Sequence, residues 1–152
     1  MKGIPYYISG RSQHSEFTIT YLNHIKILTI AHKTDHDYRN ELVIDSSLLI
    51  NTNTTDVLVN IEIMIPSSKW KRNNNLIEPK IINEGKVVFP ELEKNHQYEC
   101  SNVSTSYSSI SNSLLVLFIN DISYMEAIIF STNCQIITCN NFCTGFYFKN
   151  VL

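Results

Sequence analysis

A chain of 152 residues carrying a formal net charge of −2 is long enough for one domain to bury most of its apolar surface unaided. That charge balance excludes a basic stripe of the kind that neutralises many nucleic-acid phosphates. Hydrophobic residues at 43% and charged residues at 17% exclude intrinsic disorder, which needs low hydrophobicity with high net charge.

The composition favours strands. Ala occurs only as Ala31 and Ala127, against 21 Ile, 17 Asn and 16 Ser. Ala is the best helix former, whereas β-branched side chains lose rotamer freedom in a helix and pack well on a pleated sheet.

In chain order, residues 4–8 read as a first strand, and 16–22 (EFTITYL) alternate cleanly. Residues 24–31 (HIKILTIA) follow, then two short segments at 42–44 and 48–51 about the turn-prone Asp45-Ser46-Ser47. Residues 56–65 (DVLVNIEIMI) place Val57, Val59, Ile61, Ile63 and Ile65 on one face and Leu58, Asn60, Glu62 and Met64 on a wetter one, the pattern of a half-buried strand. Pro66 ends it, and 67–85 read as a loop excursion broken by Asn73-Asn74-Asn75 and Pro79. A short strand is expected at 86–89 and one helical turn from Pro90. Residues 101–113 read as an exposed loop or polar edge strand. Strands are then expected at 113–120, 125–131, 134–139 and 142–149. The first of these, SLLVLFIN, is apolar throughout and should be central.

The order of segments in 23–65 recurs in 112–149: a long strand, a polar gap, two short strands about a tight turn, and an alternating strand. In the last strand a small or polar residue, Asn60 or Gly145, precedes the final apolar pair. The expected architecture is therefore all-β, a single domain over 1–152. It is built of two packed antiparallel β-meanders, as a sandwich or half-barrel pair, with an internal pseudo-repeat.

Leu42 to Asp45, Leu48-Leu49-Ile50 and Leu58-Val59-Asn60-Ile61-Glu62-Ile63-Met64 resemble a small uncharacterised bacterial β-domain. That domain has a "D…L-L-I" step, an acidic or Asn turn and a closing "L-V-x-I-E-I-L" strand. The Gly usual before I-E-I is Asn60 here, and the usual turn Gly is missing. Similar modules occur among immunity proteins of bacterial toxin systems, including contact-dependent inhibition. The resemblance implies a small cytoplasmic β-rich protein that binds and neutralises a cognate protein toxin.

The residues themselves give few chemical signatures. There are four glycines, Gly3, Gly10, Gly85 and Gly145, which leaves no phosphate-cradling loop and no nucleophile elbow. No cofactor and no enzymatic activity are expected. His32 and His36 would share a helix face as metal ligands often do, but they leave a strand within His32-Lys33-Thr34-Asp35-His36-Asp37 and read as an exposed polar loop. Cys134, Cys139 and Cys143 lack paired zinc-knuckle spacing and read as small buried hydrophobes, with Cys100 a further thiol. Lys69, Lys71 and Arg72 beside Trp70 read as a solvated loop, so no direct nucleic-acid contact is expected.

The longest apolar run, 114–119, cannot span a bilayer. No signal-peptide core precedes Arg11 and His14, and a reducing cytoplasmic location is the expectation. The acidic set Asp35, Asp37, Asp45, Asp56 and Glu62 could steer a basic partner, with Tyr38 and Trp70 as aromatic anchors. The expected partner-binding residues are Asp35, Asp37, Tyr38, Asp45, Glu62 and Trp70. The alternatives are a hydrolase or nuclease using a pair from His14, His24, His32, His36 and His96, or an assembly subunit pairing through a strand edge.

Overall fold

The computed structural model describes residues 2–10, 16–120 and 125–152. His14 and residues 121–124 of the second repeat lie outside the described residues. The described chain is all-β, with three 3₁₀ turns at Ser67–Lys69, Leu92–Lys94 and His96–Tyr98 and no α-helix. Among the described residues no helix is long and apolar enough to cross a membrane.

The first half contains β1 (Ile4–Pro5), β2 (Tyr7–Ser9), β3 (Phe17–Leu22), β4 (Ile27–His32), β5 (Asn40–Ile44), β6 (Leu48–Thr52) and β7 (Leu58–Ile63). The second contains β8 (Lys71–Arg72), β9 (Lys80–Glu84), β10 (Lys86–Val88), β11 (Ser104–Ser108), β12 (Ser113–Leu117), β13 (Glu126–Ser131), β14 (Cys134–Cys139) and β15 (Phe142–Lys149).

Two large sheets result. The first is antiparallel, in the order β3-β4-β7-β6-β5; the second runs β8-β11-β12-β15-β14-β13-β9, with β1 also on β15. The edge strands β8 and β9 pair parallel with β11 and β13, and β2 pairs with β10 in a separate ribbon. Neither large sheet is a plain meander. β5-β6-β7 and β13-β14-β15 are, but β4 pairs with β7 and β12 with β15. The connector 33–39 is too long for a tight hairpin, and it carries the chain past two strands to the far edge of the sheet.

The order β3-β4-β7-β6-β5 is repeated strand for strand by β11-β12-β15-β14-β13. The registers agree too. Leu28 lies opposite Ile63 as Leu114 lies opposite Phe148. Asn51 pairs with Asn60 and then Thr52 with Leu58, just as Ile137 pairs with Gly145 and then Thr138 with Cys143. One residue is therefore bulged from each last strand, Val59 in β7 and Thr144 in β15. The bulge corrects the alternation expected for 56–65. It turns Leu58, not Val59, into the shared core with Ile61 and Ile63, because a bulge reverses the facing of all residues beyond it.

The two sheets bury one face against each other. A single apolar cluster joins Leu28, Ile30, Leu48, Ile50, Ile61 and Ile63 to Leu114, Val116, Phe130, Ile136, Phe146 and Phe148. Trp70 closes it, with its ring 5.9 Å from Tyr21 and 5.5 Å from Tyr107. Those two tyrosines occupy equivalent positions, opposite Leu28 and Leu114. Cys134 and Cys143 are buried in this cluster and Cys139 is half-buried.

Residues 67–85 are thus not the loop that their Pro and Asn content predicts. They hold a core tryptophan and two edge strands, and Pro79 and the Asn run bound β9 instead of abolishing it. The partner of β9 is β13, far along the chain, so local composition carries no sign of the pairing.

The outer faces differ. That of the second sheet is apolar, with Leu115, Ala127, Ile137 and Tyr147 buried and Leu76 packed over them. That of the first is polar, carrying Thr29, Asn51, Asn60 and Glu62.

Candidate functional site

The connector 33–39 leaves β4 at His32 and is held by its own side chains. His32 Nδ1 accepts the backbone N–H of Asp35 at 2.9 Å and of Thr34 at 3.2 Å, so the neutral ring carries its proton on Nε2. His36 Nε2 lies 3.0 Å from the His32 carbonyl oxygen, which can only accept, so His36 donates. One Asp35 oxygen accepts the N–H of Asp37 at 3.1 Å and the other accepts Asn53 Nδ2 at 2.8 Å. Asn53 Oδ1 in turn accepts the N–H groups of Thr55 and Val57, tying the connector to the turn between β6 and β7. These two histidines therefore serve loop geometry. Among the described residues no group of three or more His, Cys, Asp or Glu is placed to hold a metal ion.

The electrostatics follow from this frame. The Asn53 amide above all, with the Asp37 amide and the two imidazoles, holds the Asp35 carboxyl below its ordinary value despite partial burial. Tyr38 is 45% exposed. Its hydroxyl is pushed up, first by burial of its inner part and then by the carboxylates of Glu62 and Asp35. That places the carboxylates of Asp35 and Glu62 each within electrostatic reach of the Tyr38 hydroxyl. Asp37 lies beside them and pairs with Arg39 at 3.8 Å in solvent, a contact of little energetic weight. Asp56 accepts Asn40 Nδ2 at 3.1 Å at the start of β5.

Four of the six expected partner-binding residues, Asp35, Asp37, Tyr38 and Glu62, are thus gathered on and beside one connector. The other two are not. Asp45 lies in the turn at the opposite end of β5, about 17 Å away at 3.4 Å per residue, where its N–H donates to the Glu99 carbonyl. Trp70 is 3% exposed and its Nε1 donates to the Ile65 carbonyl. As an interface anchor it is corrected: the apolar bulk that suggests an anchor is what draws it into the core.

Sequence reasoning missed a buried amide pair on the same outer face. Asn60 Nδ2 donates to Asn51 Oδ1 at 2.9 Å, and Asn51 Nδ2 donates to the Asn40 carbonyl. Asn60 Oδ1 is buried without a partner. The available signal was Asn60 itself, standing where the resembled domain carries Gly.

A cleft of about 180 Å³ opens beneath the connector, with Glu16, His32, Asp35, Asn53 and Lys86 at its wall and Phe17 and Phe130 among its apolar lining. It offers acid and base groups but no activated nucleophile. Burial pushes the thiols of Cys134 and Cys143 up to about 12, and neither lines the cleft. No protein-family model matches the chain, and no curated protein matches it.

Proposed function

We propose that this protein is an immunity-type inhibitor that binds a cognate protein toxin with a basic active site, a nuclease, and occludes it without chemistry of its own. The observation that carries this reading is the pre-organised connector 33–39, which presents Asp35, Asp37 and the exposed Tyr38 beside Glu62. Side chains already ordered in the free protein lose little entropy on binding. Carboxylates facing a basic cleft raise on-rate and specificity, and a rim tyrosine is a frequent hot spot. The inhibitor acts in the cytoplasm, a setting that suits its four unpaired thiols.

The test is protection in cells. Co-expression should rescue growth from one toxin, with the neighbouring gene product as first candidate, and from no unrelated one. Tyr38→Ala and Asp35→Ala should abolish rescue at unchanged protein level. Rescue that survives both substitutions would sink the proposal.

The cleft supports a second reading, a histidine-dependent hydrolase with His32 as acid–base group beside Glu16 and Asp35. In that case purified protein turns over a nucleic acid or ester. His32→Ala then removes the activity and His96→Ala, on a distant 3₁₀ turn, does not.

A further inference from the structure

The bulge in the β9–β13 ladder shapes a pocket on the outer face of the second sheet. Ala127 lies opposite Ile81 and Ile128 opposite Asn83, so Ile82 is the extra residue. Successive strand residues face opposite ways, and one bulged residue reverses that order. Ile81 and Glu84, three apart in sequence, therefore share the outer face. The registers carry one row across it, Glu84-Ile129-Gln135-Tyr147. Beside this row, at the turn after β13, lies a pocket of about 210 Å³ lined by Ile81, Glu84, Ile129, Asn133, Gln135 and Lys149.

Two of these residues do not serve the fold. Gln135 is 2% exposed, and its Oε1 is buried without a hydrogen-bond partner. An acceptor left in that state destabilises a folded chain. The matched position in the first sheet carries Leu49, so the strand plan accepts an apolar side chain there. Glu84 is exposed and has no ion-pair partner among the described residues. Lys149 brings no free positive charge to the pocket, because Glu78 pairs with it.

We propose that this pocket binds an alkylammonium group. The ammonium donates to the Glu84 carboxylate and to Gln135 Oε1, and the carbon stem rests on Ile81 and Ile129. The terminal torsion of glutamine is broad, so the Gln135 amide turns its oxygen to the ligand without leaving its rotamer. An ammonium is a compact charge with three donors and no acceptor, which suits one carboxylate and one neutral acceptor side by side. A carboxylate on the same stem meets Glu84 and is refused. The site lies on the other large sheet from the connector 33–39 and is independent of what that connector binds.

The probe is butylammonium chloride, titrated into the isotope-labelled full chain at fixed ionic strength and followed by amide chemical shifts. The signals of Ile81, Glu84, Ile129 and Gln135 should saturate together, with a dissociation constant on the order of millimolar for so small a ligand. Butyrate, the same stem with the opposite charge, should leave them in place. Glu84→Gln and Gln135→Leu should each weaken binding by at least about fivefold. Gln135→Leu should also unfold at the same or a higher urea concentration, since it removes the unpartnered acceptor. If Nα-acetyl-lysine methylamide saturates the same signals, the source is a lysine of a protein; if it is excluded, the source is a free amine. Both results uphold the site. Shifts that fail to saturate, that butyrate reproduces, or that keep their affinity in Glu84→Gln overturn the proposal. A Gln135→Leu chain that binds as tightly as the wild type, or that is clearly less stable, does so as well.

Discussion

The two large sheets share an order, a register and a bulge, yet they differ in the polarity of their outer faces. At four matched positions the first sheet carries Thr29, Asn51, Asn60 and Glu62, and the second Leu115, Ile137, Gly145 and Tyr147; at a fifth the order reverses, Leu49 against Gln135. The inner faces are alike and interdigitate in one core. The strand plan is thus set by the face the two sheets share, while the outer face is free to diverge. The second sheet has buried its outer face under the segment around Leu76. The first has kept its own polar, and the connector 33–39 is tied to the end of β6 and the turn after it. That difference is why the candidate binding surface lies on one sheet and not on its counterpart.

Exchanging matched residues breaks this comparison most sharply. At Gly145 a Cβ would run into the Val116 carbonyl oxygen and lie 2.7 Å from Leu117 Cδ2. Gly145→Asn should therefore cost about 4 kcal/mol or leave the chain unfolded, by urea denaturation. Asn60→Gly, its mirror, should cost only about 1 kcal/mol, since it also removes a buried acceptor without a partner. Equal costs would show that the outer faces of the two last strands do not differ in this way.

Trp70→Ala comes next, at about 3–5 kcal/mol, because it empties the space between the paired tyrosines Tyr21 and Tyr107. A loss below about 1 kcal/mol would mean that Trp70 lies on a surface after all.

Tyr147→Glu puts a carboxylate into the dry outer cluster, where Tyr147 is 2% exposed, and should cost about 3 kcal/mol. Glu62→Tyr on the wet face should change stability by less than about 0.5 kcal/mol while weakening partner binding.

The smallest effect is on pH. Because the folded Asp35 carboxyl titrates below its ordinary value of 3.8, its contribution is complete above that value. It is lost as the pH falls through the lower folded value. Protection of the 33–39 amides, measured against their intrinsic exchange rates, should therefore hold at neutral pH and fall only in acid below 3.8, and Asp35→Asn should remove that acid step.

Much of the strand plan was legible because alternation and turn residues are local. The segments at 16–22, 48–51, 134–139 and 142–149 announce themselves by period and by Asn turns, and the repeat is visible in their order. Three things were not legible. The bulge at Val59 depends on the ladder with β6, so the apolar run of β7 reads as one uninterrupted face. Trp70 sits in a stretch of Lys, Ser and Arg whose polarity masks a core side chain. The pairing of β9 with β13 joins residues distant in the chain. At the candidate site, Asp35, Asp37 and Tyr38 are neighbours in sequence and were legible as a cluster. Their link to Glu62 and their support by Asn53 needed the connector's path.

The central claim is that the connector 33–39 is a binding surface for a basic protein. Its most direct test is titration calorimetry of the purified chain against the product of the neighbouring gene. The account predicts a sub-micromolar complex that Tyr38→Ala weakens by about thirtyfold, as for a hot spot of about 2 kcal/mol, and that Asp45→Ala leaves unchanged. A complex indifferent to Tyr38→Ala, or lost through Asp45→Ala, would contradict it.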